Sequence, residues 1–289
     1  MIVDETYRAA EILNSDMEKI QQWSHQWLVN FNQRKTETMV ISKKIIKPHH
    51  PPIYMNDAII REVEQHKHLG VIFQDDGCSN SHIDYIIDKA TPRLNLMRKL
   101  KFKLSRELLQ IIYFSCVRPI LEYADIVWDN IPIYLRERLE TINIEAARIV
   151  TGATKLCSKE KLYVETGWET MSCRRIKHKV IKFHEMFHGC APEYSCNLVP
   201  PQLHDLHNYN TRRASNAQIV YSRTSSYRNS FLPSAVGEWN NLPIDVRRNS
   251  SKYTLKRFLN RNAFKIPSYY ITGSRRGQVL QCQTYLAVI

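Results

Sequence analysis

Between Thr6 and Phe31 the apolar residues Ala10, Leu13, Met17, Ile20, Trp23 and Trp27 recur three or four positions apart. A helix of 3.6 residues per turn gathers that spacing onto one stripe, so the segment predicts an amphipathic helix with one apolar face. The period then drops to two. In "KTETMVISKK", Thr38, Val40 and Ser42 face away from Met39 and Ile41, which predicts a short strand. "PHHPPIYMN" is a proline-rich break, and "IYMNDAIIREV" predicts a hairpin turning at Asn56-Asp57. "HKHLGVIF" reads as the next strand.

From Ser79 the period returns to that of a helix. Ile83, Ile86, Ile87, Ala90, Leu94 and Met97 mark one amphipathic helix, with Pro92 expected to bend or interrupt it. Ser105 is placed as the N-cap of a second, backed by Leu108, Ile111, Ile112 and Cys116 and broken or kinked at Pro119. "LRERLETINIEAARIVTG" and "MSCRRIKHKVIKFHEMFHG" are helices closed by Gly152 and Gly189. "SFLPSAVGEWNNLP" and "SSKYTLKRFLNR" are shorter helical pieces. The stretch "YNTRRASNAQIVYSRTSSYRNS" is weakly patterned and reads as a loop, and the tail beyond Ile266 reads as irregular. No internal repeat stands out. The order is helix and strands first, then mostly helices, which is an α+β fold.

Composition supports this picture. Of 289 residues 43% are hydrophobic, enough for a core, and only 8 are glycine, which favours long helices over a sandwich of short strands. Charge adds a partner. With 41 Lys+Arg against 28 Asp+Glu the net charge is +13, which suits a polyanion: nucleic acid first, an acidic membrane surface second. A basic globular protein with no acidic partner is the alternative. The 7 cysteines are scattered, and Cys116 within "IIYFSCVRPIL" reads as a buried thiol, which fits a reducing compartment. The N-terminus lacks a signal-peptide core and no stretch is long and apolar enough to span a bilayer. An intracellular location, nucleus or cytoplasm, and no membrane partner are expected.

Three motifs invite chemistry. "GVIFQDDG" places Asp75 and Asp76 after an aromatic residue, as polymerases place the aspartates that hold two metals. Such chemistry needs carboxylates from two neighbouring strands holding ions roughly 3.5–4 Å apart. No upstream apolar run carries a second aspartate, since Asp4, Asp16 and Asp57 lie near the terminus, in a polar helix and in a turn. Asp-Asp-Gly after a strand reads as a turn. "HEMFH" matches H-E-x-x-H, which on a helix would set His184 and His188 on one face for zinc with Glu185 as base. A third ligand would have to be Glu193, His204 or His207, and coincidence is the simpler reading. Cys173, Cys190 and Cys196 form no C-x-x-C pair and read as isolated thiols.

Basic runs say more. Lys89, Arg93, Arg98, Lys99, Lys101, Lys103 and Arg106 fall within one helix and its exit; Arg174, Arg175, Lys177, Lys179 and Lys182 crowd another. Such stripes suit a phosphate backbone, read without regard to sequence, or are solvated helix faces. Arg212 and Arg213 lie beside tyrosines and could add weak contacts.

At this point several stretches, taken together, resemble one family. "AAEILNSDMEKIQQWSHQWLVNFNQRKTETMVIS", "HKHLGVIFQDD", "RPILEYADIVWDN", "EAARIVTGATK", "LYVETGWE", "SFLPSAVGEWNNLP" and "LKRFLN" resemble, in order, the reverse transcriptase of Jockey-like non-LTR retrotransposons. The resemblance covers roughly residues 1 to 265. It implies that the catalytic F/Y-A-D-D hairpin, the fingers and the strand with the first metal-binding aspartate would precede Met1. Asp75 and Asp76 then leave the following hairpin. It implies a palm C-terminal remnant over 1–76, a helix with short antiparallel strands, a helical thumb-like region over 77–190 and a helical or irregular extension over 191–289. Lys35 is implied to lie near nucleotide phosphates, and His68, Leu69 and Gly70 near the primer backbone. The basic helices would hold an RNA–DNA or DNA duplex. The missing palm and fingers are the implied protein partner, and Mg²⁺ is implied only for an intact polymerase, so this chain is expected to hold no cofactor and to be inactive alone. Cys78 stands where the family often has tryptophan, and His184 and Glu185 depart from its usual residue types. Beside this reading stand a non-catalytic structural or interaction remnant of a decayed mobile element and, more distantly, the zinc hydrolase.

Overall fold

A computed structural model describes residues 2–3, 6–206, 213–261 and 284–288, with side chains for 6–206 and 213–261. These fall into two compact units, one reaching to Asp84 and including the strand at 284–288, the other beginning at Tyr85.

In the first unit, after β1 (Ile2–Val3), α1 spans Thr6–Gln26. Its Ala9, Ala10, Leu13 and Met17 pack on Val40, Ile53, Met55 and Ile60. Two alanines allow close approach, and Asn14 pins the helix by donating to Pro52 O (3.1 Å) and accepting from Tyr54 N (2.9 Å). The predicted apolar stripe is covered only this far: Trp23 and Trp27 are 48% and 62% exposed. Length explains it, since a 21-residue helix runs about 31 Å and the strand β2 (Glu37–Ser42) only about 20 Å.

β3 (Tyr54–Met55) and β4 (Ala58–Ile59) form the expected hairpin, with Asn56 and Asp57 at φ 48° and 62°. β5 (Arg61–Glu62) follows. "HKHLGVIF" is not one strand but a hairpin: β6 (Gln65–His68) turns through Leu69 and Gly70, φ 45° and 86°, into β7 (Val71–Gln74). Two residues are enough for a turn whose central positions both have positive φ. The tail also differs from expectation. Thr284–Val288, here called β8, is a strand rather than irregular, and its "TYLAV" suits a pleated ladder. It lies antiparallel between β1 and β2 in a sheet of order β1-β8-β2-β5. β5 pairs with β2 in parallel, so the strands are not all antiparallel. With neighbours on both edges, β2 buries Thr38 and Val40 as well as Met39.

The boundary between units falls inside α2 (Asn80–Leu100), which buries Ile83, Ile86, Ala90, Leu94 and Met97. Pro92 does not interrupt it: the ring sits on the exposed face and deletes a single solvent-side backbone donor. α3 (Arg106–Ile112) starts at Ser105, whose hydroxyl accepts from Leu108 N. It then widens into a π turn over Tyr113–Val117 before α4 (Arg118–Glu122), where Arg118 N–H donates to Tyr113 O, five residues back. Pro119 has no N–H for the carbonyl four residues earlier, and the wide turn absorbs that loss. The buried row is therefore Leu109, Tyr113, Val117 and Leu121, spaced by four, while Leu108, Ile111 and Cys116 are exposed. Cys116 is thus not the buried thiol the sequence suggested.

α5 (Asp125–Trp128), α6 (Ile133–Thr151), α7 (Lys159–Thr166) and α8 (Met171–Phe187) follow, with Gly152 and Gly189 in the left-handed conformation their closing positions require. α9 (Glu193–Cys196), α10 (Leu203–Leu206) and α11 (Ser225–Arg228) are single turns. The expected loop from Tyr209 to Ser230 lies partly outside the described residues, Arg212 included, and its described part holds α11. α12 (Phe231–Asn240), α13 (Ile244–Arg248) and α14 (Lys252–Arg261) complete the unit. Ile176, Val180 and Phe183 of α8 form a core with Val236 and Trp239 of α12 and Leu255 and Leu259 of α14. The fold is α+β with a mostly helical part, and among the described residues no helix is long and apolar enough to cross a membrane.

Candidate nucleic-acid interface

In the first unit Lys35 ends a 3₁₀ turn, Gln33–Lys35, and is exposed. Asn32 caps that turn by accepting from Arg34 N (3.0 Å), and Gln33 Nε2 donates to Met55 O (2.9 Å), so the lysine stands on an anchored support. His68 and Gly70 flank the tip of the β6–β7 hairpin, where Leu69 holds a positive φ that bulky side chains avoid and is exposed. Nearby, Glu37 bonds His66 Nδ1 (2.8 Å) and pairs with Arg61; those two contacts hold its carboxyl below the usual range.

Asp75 and Asp76 form the turn leaving β7. Asp75 pairs with Lys47, its carbonyl accepts from Ser42 N (2.7 Å), and Asp76 Oδ1 accepts from Cys78 N (2.7 Å). The Asp76 carboxylate serves the turn, as expected of Asp-Asp-Gly, and the Asp75 carboxylate is taken up by Lys47.

In the second unit the basic run of α2 and its exit is exposed, apart from half-buried Lys101. Arg98 pairs with Glu145 (3.1 Å) and Arg106 with Glu165 (2.9 Å). Burial pushes the Glu145 carboxyl up, but hydrogen bonds from Arg148 and Arg98 bring it below its ordinary value. Lys89 lies over the Tyr85 ring at 4.6 Å, Arg93 donates to Lys89 O (2.6 Å), and Lys101 lies over the Phe102 ring at 5.6 Å. Lys89, Arg93, Lys99, Lys101 and Lys103 have no carboxylate within ion-pair distance among the described residues.

The α8 run is different, and this corrects the sequence reading of an open stripe. Arg175, Lys177 and Lys179 are buried. Arg175 Nε lies 2.6 Å from Asp129 Oδ1 and Lys179 Nζ 2.5 Å from Asp129 Oδ2, with Arg136 at 3.9 Å. Lys177 pairs with Glu169, and half-buried Arg174 with Glu122. Burial alone would raise the Asp129 carboxyl, but Lys179, Arg175 and Arg136 hold it below its usual value. These cations are consumed inside the fold and cannot face a phosphate backbone without leaving a carboxylate bare. Periodicity on α8 gave no warning, because the neutralising Asp129 lies 46 to 50 residues upstream of its partners, just beyond α5.

The "HEMFH" residues are also structural. His184 Nε2 meets Asn249 O (2.9 Å), His188 Nε2 meets Arg247 O (3.0 Å), and Glu185 pairs with Lys252. The imidazoles pin α8 to the end of α13 and the residue after it. Among the described residues no group of three or more His, Cys, Asp or Glu is arranged to hold a metal ion.

One feature the pattern did not single out is a cavity of about 190 Å³, lined among others by Phe114, Arg118, Trp168, Glu169, Arg174 and Asn260. The π turn supplies Phe114, and Trp168 stacks on Tyr113 with centroids 4.2 Å apart.

No family model matches the chain, and no solved structure matches it. Over 173 residues it is 23% identical to a Drosophila melanogaster protein named probable RNA-directed DNA polymerase from transposon BS. The alignment takes in 59% of this chain and 19% of that protein, so the chain spans about a fifth of the relative's length. The chain is thus distantly similar to part of a transposon polymerase.

Proposed function

We propose that the chain is a fragment, from the C-terminal part, of a Jockey-like retroelement reverse transcriptase, which binds template–primer nucleic acid without polymerising alone. The observation that carries this reading is the row of cations on α2 and its exit, Lys89, Arg93, Lys99, Lys101 and Lys103, with no carboxylate to neutralise them. Arg98 and Arg106 are exposed enough to exchange carboxylate for phosphate. Lys35 would add a phosphate contact, and His68 and Gly70 a contact to the primer backbone. Similarity to the transposon polymerase supports nucleic acid as the partner. That Asp76 serves a turn and Asp75 pairs with Lys47 supports a chain without its own metal pair.

The test is a salt titration of binding to a labelled RNA–DNA hybrid, run beside primer extension with Mg²⁺. Five phosphate contacts give a slope of log K against log salt of about −4. A slope near zero rejects the proposal. Extension that disappears with Asp75→Asn or Asp76→Asn reassigns "FQDD" to catalysis.

A second reading, a protein-interaction remnant, draws on the uncovered end of α1, where Ile20, Trp23, Trp27, Leu28 and Phe31 are exposed. Trp27→Lys would then raise the soluble fraction of the purified chain without affecting nucleic-acid binding, whereas an unchanged fraction counts against it.

A further inference from the structure

The cavity between the π turn, the Gly167–Glu169 segment and α14 lies apart from the α2 row, and of its lining only Glu169 and Arg174 belong to ion pairs described above. Its size limits the ligand. About 190 Å³ is too little for a drug-sized molecule, whose pockets run from roughly 300 Å³ upward, but admits one planar ring system. Its walls suit such a ring. Arg118 lies flat enough on Phe114 to place its guanidinium carbon 4.2 Å from the ring centroid, and Phe114 in turn leans on Trp168 at 5.4 Å. A guanidinium held on an aromatic ring offers its outer face for stacking, as in proteins that bind unstacked bases.

Polar groups complete the lining. Trp168 contributes ring surface rather than a donor, since its indole N–H is buried and has no surface open to a ligand. Asn260 accepts from Lys177 (3.3 Å) through Oδ1, which leaves its amide N–H groups to donate. Glu169 contributes a carboxylate, and Arg174 a guanidinium beside it at 3.7 Å. An aliphatic ligand would waste these donors and acceptors, and a bare anion would waste the aromatic walls. A heterocycle carrying both donors and acceptors, joined to a phosphate, uses both.

We propose that this cavity takes one unstacked nucleobase, with the attached phosphate against Arg118, since Arg174 is already held by Glu122. The inference rests on the reading of the chain as a nucleic-acid binder and adds a place where a base leaves the strand.

The experiment uses the whole chain labelled with ¹⁵N. Each tryptophan gives one indole N–H resonance, and Trp168→Phe identifies the one in the cavity. The probes are uridine and guanosine monophosphates, with ribose 5-phosphate and inorganic phosphate as controls. The expected result is a saturable shift of the Trp168 resonance with the nucleotides alone. Arg118→Lys, which keeps the charge and loses the plane, should weaken it about tenfold. Asn260→Ala, at an exposed position, should weaken it without touching the core. An equal shift with ribose 5-phosphate, or no shift with any probe, overturns the proposal. Salt-dependent duplex binding is read separately, so a failed cavity leaves the functional reading standing. Nucleotide binding without duplex binding keeps the cavity and removes that reading.

Discussion

Along the chain α2 and α8 look alike: each is an amphipathic helix crowded with lysine and arginine. In the folded second unit they are opposites. On α2 the positive charges stand on the face away from Ile86, Ala90, Leu94 and Met97, and five in the helix and its exit meet no carboxylate. On α8 the positive charges sit among the apolar residues Ile176, Val180 and Phe183 and close onto Asp129 and Glu169. The difference teaches that a basic helix announces a polyanion only when its charges fall off the apolar stripe. On α8, Ile176 and Val180 alternate with Arg175 and Lys179, so the same face must bury both kinds of side chain.

The sharpest way to break the comparison is to remove Asp129. Asp129→Ala leaves Arg175 and Lys179 buried without their anion, and denaturant unfolding should register a loss of about 3–5 kcal/mol. A loss below about 1 kcal/mol would mean that the α8 cations reach water after all. Next comes pH. At its start α2 has a buried ionisable group, His82, whose Nδ1 accepts from Ile72 N (3.2 Å) and whose pKa burial lowers to about 4. The unfolded chain takes up this proton near pH 6.5 and the folded chain does not, so stability falls as pH drops from about 6.5 towards 4. The total is up to about 3 kcal/mol, and His82→Gln should flatten that part of the pH–stability curve.

Smaller effects should follow on the open face. Lys99→Ala should reduce the salt slope of hybrid binding by about 1 and alter stability by no more than about 0.5 kcal/mol. Comparably small, Arg98→Ala, which breaks an exposed pair with Glu145, should cost about 0.2–1 kcal/mol in thermal unfolding.

The local grammar was readable. Asn56-Asp57 marked a hairpin, Ser105 a helix start, and Gly152 and Gly189 helix ends, because each rests on conformations of a few adjacent residues. The hairpin inside "HKHLGVIF" was missed, its turn resting on Leu69, and three further features were not readable either. The apolar row of α3 was misplaced because this segment is apolar on several sides, so Leu108 and Ile111 compete with Leu109, Tyr113, Val117 and Leu121 and spacing alone does not choose between them. β8 was missed because its partners β1 and β2 lie more than 240 residues away. The fate of the α8 charges hung on Asp129, which looked like one polar residue in "VWDN". The exposure of Lys89, Arg93, Lys99 and Lys103 followed from the apolar stripe alone, whereas the distant partners of Arg98 and Arg106, Glu145 and Glu165, were not in view.

Asp129 has a bearing on alignment as well. Its two oxygens meet residues four apart on α8, and Lys179 also reaches Ser234 of α12 (3.2 Å). Suppose α8 slid by one turn, about 5.4 Å. In one direction Met171 would take the place of Arg175, in the other Phe183 that of Lys179, and one oxygen would face a hydrocarbon. In the second direction much of the apolar row would survive, since Val180 would take the place of Ile176 and Phe187 that of Phe183. The charge pair thus works as a vernier that selects one of two greasy settings. Replacing Asp129, Arg175 and Lys179 together by leucine or methionine should keep the helix content yet broaden the methyl NMR signals of this core, whereas sharp signals would show that packing alone sets the alignment.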